Sequence, residues 1–191
     1  VYVPAISGPK LDREGLTSGE YTVTAQADIT DFGGEKSAVL IVALYKKSGT
    51  AKQLVECGSA SAEKIIGTKR IEASIDVNID NPQDYEIKTF LWDSLQSMRI
   101  LNAERGNVKG VRISDVVFGD TGVVNAWADG NAAHAAVTVT DINGNLIYID
   151  EADSEKLEFM PGPNAENGMY SLKVCGDGEI LQKDFKYIKN T

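Results

Sequence analysis

Apolar and polar residues alternate along much of this chain with a period of two, the signature of half-buried strands. Over residues 21–30, Tyr21, Val23, Ala25, Ala27 and Ile29 share one face, and Thr22, Thr24, Gln26, Asp28 and Thr30 the other. Residues 71–77 repeat the pattern, with Ile71, Ala73, Ile75 and Val77 against Glu72, Ser74 and Asp76. Residues 38–45 are apolar on both parities and rich in branched side chains, so they predict a central strand. Ser48-Gly49 predicts the tip of a hairpin that returns through residues 53–59. Asp31-Phe32-Gly33-Gly34 and Asp80-Asn81-Pro82 predict turns, and residues 85–92 the next strand.

Residues 102–110 lack any apolar period and predict a linker. Beyond them strands are expected at 111–118, 123–128, 135–141, 145–150, 157–160, 169–175 and 180–188. Asn143-Gly144 predicts a type I′ hairpin, and Gly176-Asp177-Gly178 a second. Only residues 63–66 and 93–98 offer even a turn or two of helical spacing. Short strands with turn signals between them predict an all-β chain. The expected architecture is two tandem antiparallel sandwich domains, immunoglobulin- or fibronectin-like, over residues 1–104 and 105–191. Gly168-Met169-Tyr170-Ser171-Leu172 fits a tyrosine corner, in which a Tyr near the start of a late strand bonds back across the corner. Leu172 stands where antibody domains place their second Cys. Asp84-Tyr85-Glu86-Ile87 is a weaker copy of the rhythm in the first half.

Composition narrows the partners. The 191 residues are 42% hydrophobic and 25% charged, ordinary for a folded chain. Nineteen basic against 28 acidic side chains give a net charge of -9, which argues against nucleic acid. The longest apolar run, 38–45, is far short of the roughly 20 residues of a membrane helix, so no membrane insertion is expected. The chain opens at Val1 with no basic-plus-apolar leader, so a mature form or an excised piece is expected.

Few residues offer reactive chemistry. Cys57 and Cys175, 118 positions apart, read as two small buried thiols. His134 is the single imidazole, and no nucleophile elbow accompanies it, so it reads as an ordinary structural or surface residue. Acidic residues are abundant, but two catalytic carboxylates need a cleft between them. No catalytic residue, no resident metal and no cofactor are therefore expected. Calcium is the one ion weighed, at Asp141-Ile142-Asn143-Gly144-Asn145 or near Asp28 and Asp31 or Asp80 and Asp84. In the first of these, Gly144 comes one place too early for a calcium loop, and a hairpin accounts for every residue.

The aromatic residues are the candidate ligand-binding groups. Phe90 and Trp92 share the parity of Glu86 and Lys88, so an outward face would make them a platform for sugar rings. A framework role is preferred for both. Trp127 stands among small and polar neighbours, where a core position is preferred to an exposed one. Tyr148, opposite in parity to Ile147 and Ile149, is a further candidate for exposure.

Ala38-Val39-Leu40-Ile41-Val42-Ala43-Leu44-Tyr45, the Ser48-Gly49 turn, Tyr85-Glu86-Ile87-Lys88-Thr89-Phe90-Leu91-Trp92-Asp93-Ser94 and then Met98 form a sequence pattern over about residues 17–101. This pattern resembles a module of secreted and cell-surface proteins of Gram-positive bacteria, among them polysaccharide degraders. Ile100-Leu101 departs from it, since Pro-Leu often follows the Met there. The resemblance implies an immunoglobulin- or fibronectin-like sandwich beside catalytic domains, carbohydrate-binding modules and anchoring segments. The second half resembles bacterial surface sandwiches only in general terms. The expected function is a non-catalytic accessory or spacer module of a secreted or surface-anchored bacterial protein. Its expected partners are neighbouring modules of the same polypeptide, and polysaccharide or a surface protein. The alternatives are a carbohydrate-binding module using Phe90, Trp92, Trp127 or Tyr148, and an adhesin-type domain that binds protein through an edge strand.

Overall fold

The computed structural model describes residues 5–30, 36–101, 112–118, 122–129, 135–152, 154–176 and 179–189. The expected linker at 102–110, the turn residues at 31–34, the hairpin residues Asp177 and Gly178, and His134 lie outside them. The described residues form thirteen strands and one short 3-10 turn, so the chain is an all-β sandwich fold. The weak helical signals at 63–66 and 93–98 produce no helix. The chain divides into two compact units.

The first unit holds residues 1–45, 55–96 and 100–104. One of its sheets runs β1 (Ala5–Leu11), β2 (Gly19–Thr30) and β5 (Thr68–Ile79) in that order. In the other, β3 (Ala38–Ser48) lies between β4 (Ala51–Ala62) and β6 (Tyr85–Trp92). β2 and β5 pair without interruption from Gly19 opposite Ile79 to Thr30 opposite Thr68. That register sends Val23, Ala25, Ala27, Ile71, Ala73 and Ile75 inward, where they meet Leu40, Val42 and Leu44 of the facing sheet. Outward, cross-strand neighbours satisfy each other. Thr22 bonds Asp76 at 2.6 Å, Thr24 bonds Ser74 at 2.8 Å, and Arg70 reaches Asp28 through two nitrogens at 2.8 and 3.0 Å.

The alternation of β1 changes phase at Gly8-Pro9, and its register with β2 shifts between Ser7 and Lys10. Pro is tolerated in such an edge strand at a bulge. At Gly58 of β4 the backbone passes so close to β5 that a Cβ would come within 2.3 Å of the Ser74 carbonyl oxygen. Only glycine fits that approach. β3 is buried on both faces from Ala38 to Tyr45, as its double-sided apolar sequence requires.

The second unit holds residues 46–54, 97–99 and 105–191. One sheet orders β10 (Leu146–Glu151), β9 (Ala136–Asp141), β12 (Gly168–Gly176) and β13 (Glu179–Tyr187). The other pairs β7 (Arg112–Phe118), β8 (Val124–Asp129) and β11 (Lys156–Met160), and β11 continues onto Lys52 and Gln53 of β4. The inner faces meet where Tyr148 stacks on Phe159, with ring centroids 4.9 Å apart. The β9–β10 hairpin departs from expectation. Gly144 alone has a left-handed φ, +82°, whereas a type I′ turn requires a positive φ at Asn143 as well. The Gly144 N–H instead donates to the Asp141 carbonyl at 3.0 Å, and the Asp141 N–H donates to that of Asn145 at 3.0 Å. This is the longer hairpin loop that ends on a left-handed glycine.

The tyrosine corner forms as expected. The Tyr170 hydroxyl donates to the Glu166 carbonyl at 2.7 Å. Its counterpart in the first unit is at Tyr21, whose hydroxyl donates to the Thr17 carbonyl at 2.8 Å and accepts from the Thr17 N–H at 2.9 Å. Gly19-Glu20-Tyr21 and Gly168-Met169-Tyr170 share the same Gly-x-Tyr spacing, and each hydroxyl reaches back four residues.

Candidate functional site

Backbone pairing decides where each candidate aromatic lies. Leu91 joins the core between the sheets of the first unit, and Tyr85 and Ile87 pack against it. Phe90 and Trp92 therefore occupy the opposite face of β6, as parity predicts. That face is covered too: Phe90 is 3% and Trp92 0% exposed, and the rings stack at 5.8 Å. Neither offers a ring face to a sugar, so both take the framework role preferred for them and not the outward platform. Tyr148, expected to be exposed, is buried against Phe159, and its hydroxyl donates to Asp150 at 2.8 Å.

Trp127 departs from its preferred core assignment and is 38% exposed. It lies on β8 between Asp115 of β7 and Lys156 of β11. Two residues back along β8, Asn125 lies between Val117 and Glu158. Partners directly opposite in an antiparallel pair share a face, so these six side chains project from one side of the sheet. The Lys156 ammonium sits 5.9 Å from the Trp127 ring centroid and 2.6 Å from a Glu158 oxygen. The hydrogen bond from Lys156, with a second from Thr50, holds the Glu158 carboxyl below the ordinary carboxylate range. The Lys183 ammonium lies 3.7 Å from Asp115. Beside this row, Ser48, Gly49, Thr50, Ala51, Val123, Asn125, Glu158 and Met160 enclose an open groove of about 390 Å³. Sequence reasoning had named Trp127 but none of its neighbours, because pairing across three strands brings them together.

A second cleft of about 350 Å³ lies between the β9–β10 loop and the tyrosine corner, lined in part by Asn143, Asn164 and Met169. The Asp141 carboxylate beside it is committed to its own loop. It accepts from the Asn143 N–H at 2.9 Å, the Asn145 N–H at 2.8 Å and the Asn145 side-chain amide at 2.8 Å. These bonds, the side-chain amide first, hold the Asp141 carboxyl below its ordinary value. At the other candidate calcium positions, Asp28 pairs with Arg70, Asp80 accepts from the Asn81 N–H, and Asp84 accepts from the Asn81 amide. Asp31 lies outside the described residues. Among the described residues, no three His, Cys, Asp or Glu side chains converge as a metal site would require. Among the described residues, no helix is long and apolar enough to cross a membrane. Cys57 and Cys175 form no disulfide with each other, and Cys57 is half-buried and Cys175 buried.

No protein-family model matches the chain, and no curated protein matches it. Among solved structures, it is similar to the BSP domain of a biofilm-associated protein at 10% identity and a TM-score of 0.33, covering 96% of this chain and 51% of that one. It is similar to a bacterial adhesin from Mobiluncus mulieris at 7% identity and a TM-score of 0.30, covering 91% and 81%. It is similar also to a β-glucuronidase from Ruminococcus gnavus in complex with D-glucuronic acid, at 12% identity and a TM-score of 0.28, covering 89% and 36%. The chain thus spans about half of the first of these structures and just over a third of the glucuronidase. Scores this low carry no functional argument.

Proposed function

We propose that this chain is a non-catalytic module of a secreted or surface-anchored bacterial protein, made of two tandem immunoglobulin- or fibronectin-like sandwich domains. It positions neighbouring modules or attaches them to an extracellular partner. The observation that carries this reading is the all-β sandwich fold of the described residues. A general acid needs its acidity weakened by burial or by a like charge. Asp28, Asp141, Glu158 and Asp184 are shifted the other way, each held ionised first by a side-chain hydrogen bond. These are groups spent on holding sheets and loops together. The sequence pattern at 38–49 and 85–98 supports the bacterial surface setting. Sandwiches also suit the task, since they are stiff supports whose loops and outer faces remain free for recognition.

Surface shaving tests the proposal. Protease applied to intact cells of the producing bacterium, or to its culture medium, is expected to release peptides of this chain. Peptides that appear only after lysis would contradict it.

A further inference from the structure

We propose that the Trp127 face of the second unit, with the groove beside it, binds a neutral polysaccharide. The inference rests on the reading of the chain as a surface module and gives that module its ligand. Four features carry it. A flat indole projects from the outer face of the sheet, 38% exposed. Such a ring packs against the C–H face of a pyranose while the sugar's hydroxyls stay hydrated. One step along β8, Asn125 offers an amide that both donates and accepts, beside the carboxylate of Glu158. The groove of about 390 Å³ then continues past Asn125 to Val123, Thr50 and Met160. At the ordinary strand rise, the line from Trp127 to Val123 is about 14 Å, room for a short run of sugar rings.

Charge selects the class of polymer. Of the six side chains described on this face, both carboxylates have a lysine beside them, Lys156 for Glu158 and Lys183 for Asp115. The face is therefore locally neutral within a chain of net charge -9. A uronate polymer or a nucleic acid gains no attraction here and meets the repulsion of the whole chain. A hydroxyl-rich neutral ligand loses nothing to that field.

The test is titration of the full chain with cellohexaose, xylohexaose, mannohexaose and maltohexaose, with oligogalacturonate as the charged control. Tryptophan emission is the readout. Trp92 is fully buried, so a shift on binding reports Trp127. A saturable blue shift with at least one neutral hexasaccharide is expected. Trp127→Ala should weaken binding roughly tenfold or more, read by calorimetry, and Asn125→Ala about threefold. Trp127→Phe, which keeps a flat ring, retains part of the affinity and decides the matter if the alanine variant loses its fold. The proposal is overturned by no shift with any neutral sugar, by undiminished binding in a folded Trp127→Ala protein, or by preference for oligogalacturonate. None of these outcomes alters the shaving result, so loss of the ligand and loss of the surface reading are distinguishable.

Discussion

Burial pushes the Cys57 thiol up to about 11, and the neighbouring Glu56 carboxylate adds to the shift. The folded value lies above the ordinary one, so folding favours the uncharged thiol. The associated stability is fully present below the ordinary thiol range and is lost as the pH climbs towards 11. A shift from 9 to about 11 also leaves roughly one-hundredth of the thiolate of an unperturbed cysteine at pH 8. Iodoacetamide should therefore label Cys57 slowly at pH 8 in the native chain and rapidly once urea unfolds it, as peptide mass mapping would record. Fast native labelling at pH 8 would contradict the burial. The two tyrosine corners differ in setting. Tyr170 is buried and packs against Phe185 and Tyr187, whereas Tyr21 is half-buried under the Arg13 guanidinium, 3.9 Å from its ring centroid. Tyr170→Phe removes one internal hydrogen bond and leaves the Glu166 carbonyl seeking another donor. It should cost about 1 kcal/mol by denaturant titration, with Tyr21→Phe costing less.

Elements show what a linear pattern can and cannot reveal. β2 and β5 are legible because each has one wet and one dry face, so alternation reports the register itself. β1 is not, because Gly8 and Pro9 break the rhythm where the strand bulges. Parity placed Phe90 and Trp92 on the face away from the intersheet core, but parity says nothing about what covers a face. The same limit reversed the expectations for Tyr148 and Trp127. In the first half the Gly-x-Tyr spacing of Tyr170 recurs at Tyr21, whereas Asp84-Tyr85-Glu86-Ile87 repeats the rhythm without the glycine. The groove beside Asn125 was invisible in sequence, since its walls come from the β3–β4 turn, β8 and β11. The crossing at Gly58 yields a prediction of its own. Gly58→Ala drives a methyl into the Ser74 carbonyl and should cost about 1–3 kcal/mol in urea titration. Gly15→Ala, which meets nothing within 4 Å, is the control and should leave the midpoint nearly unchanged.

At the scale of the whole molecule, the proposed role is that of a support. The sheets bury one side of their residues, and their outward polar groups are largely spent on each other, as in the Thr22–Asp76, Thr24–Ser74 and Arg70–Asp28 pairs. Asp28, Asp141, Glu158 and Asp184, held ionised by their neighbours, suit a solvated exterior. Against that background the Trp127 face stands out, with an exposed indole and a groove beside matched charges. As proposed, the chain binds a neutral polymer and does not cleave it. Affinity electrophoresis in native gels cast with neutral polysaccharides, stained afterwards for the polymer, tests both at once. The predicted result is a band retarded by at least one neutral polymer, restored to free mobility by Trp127→Ala, with the polymer around it still fully stained. A cleared zone at the band would mean hydrolysis and would contradict the non-catalytic reading, and free mobility in every gel would contradict the binding face.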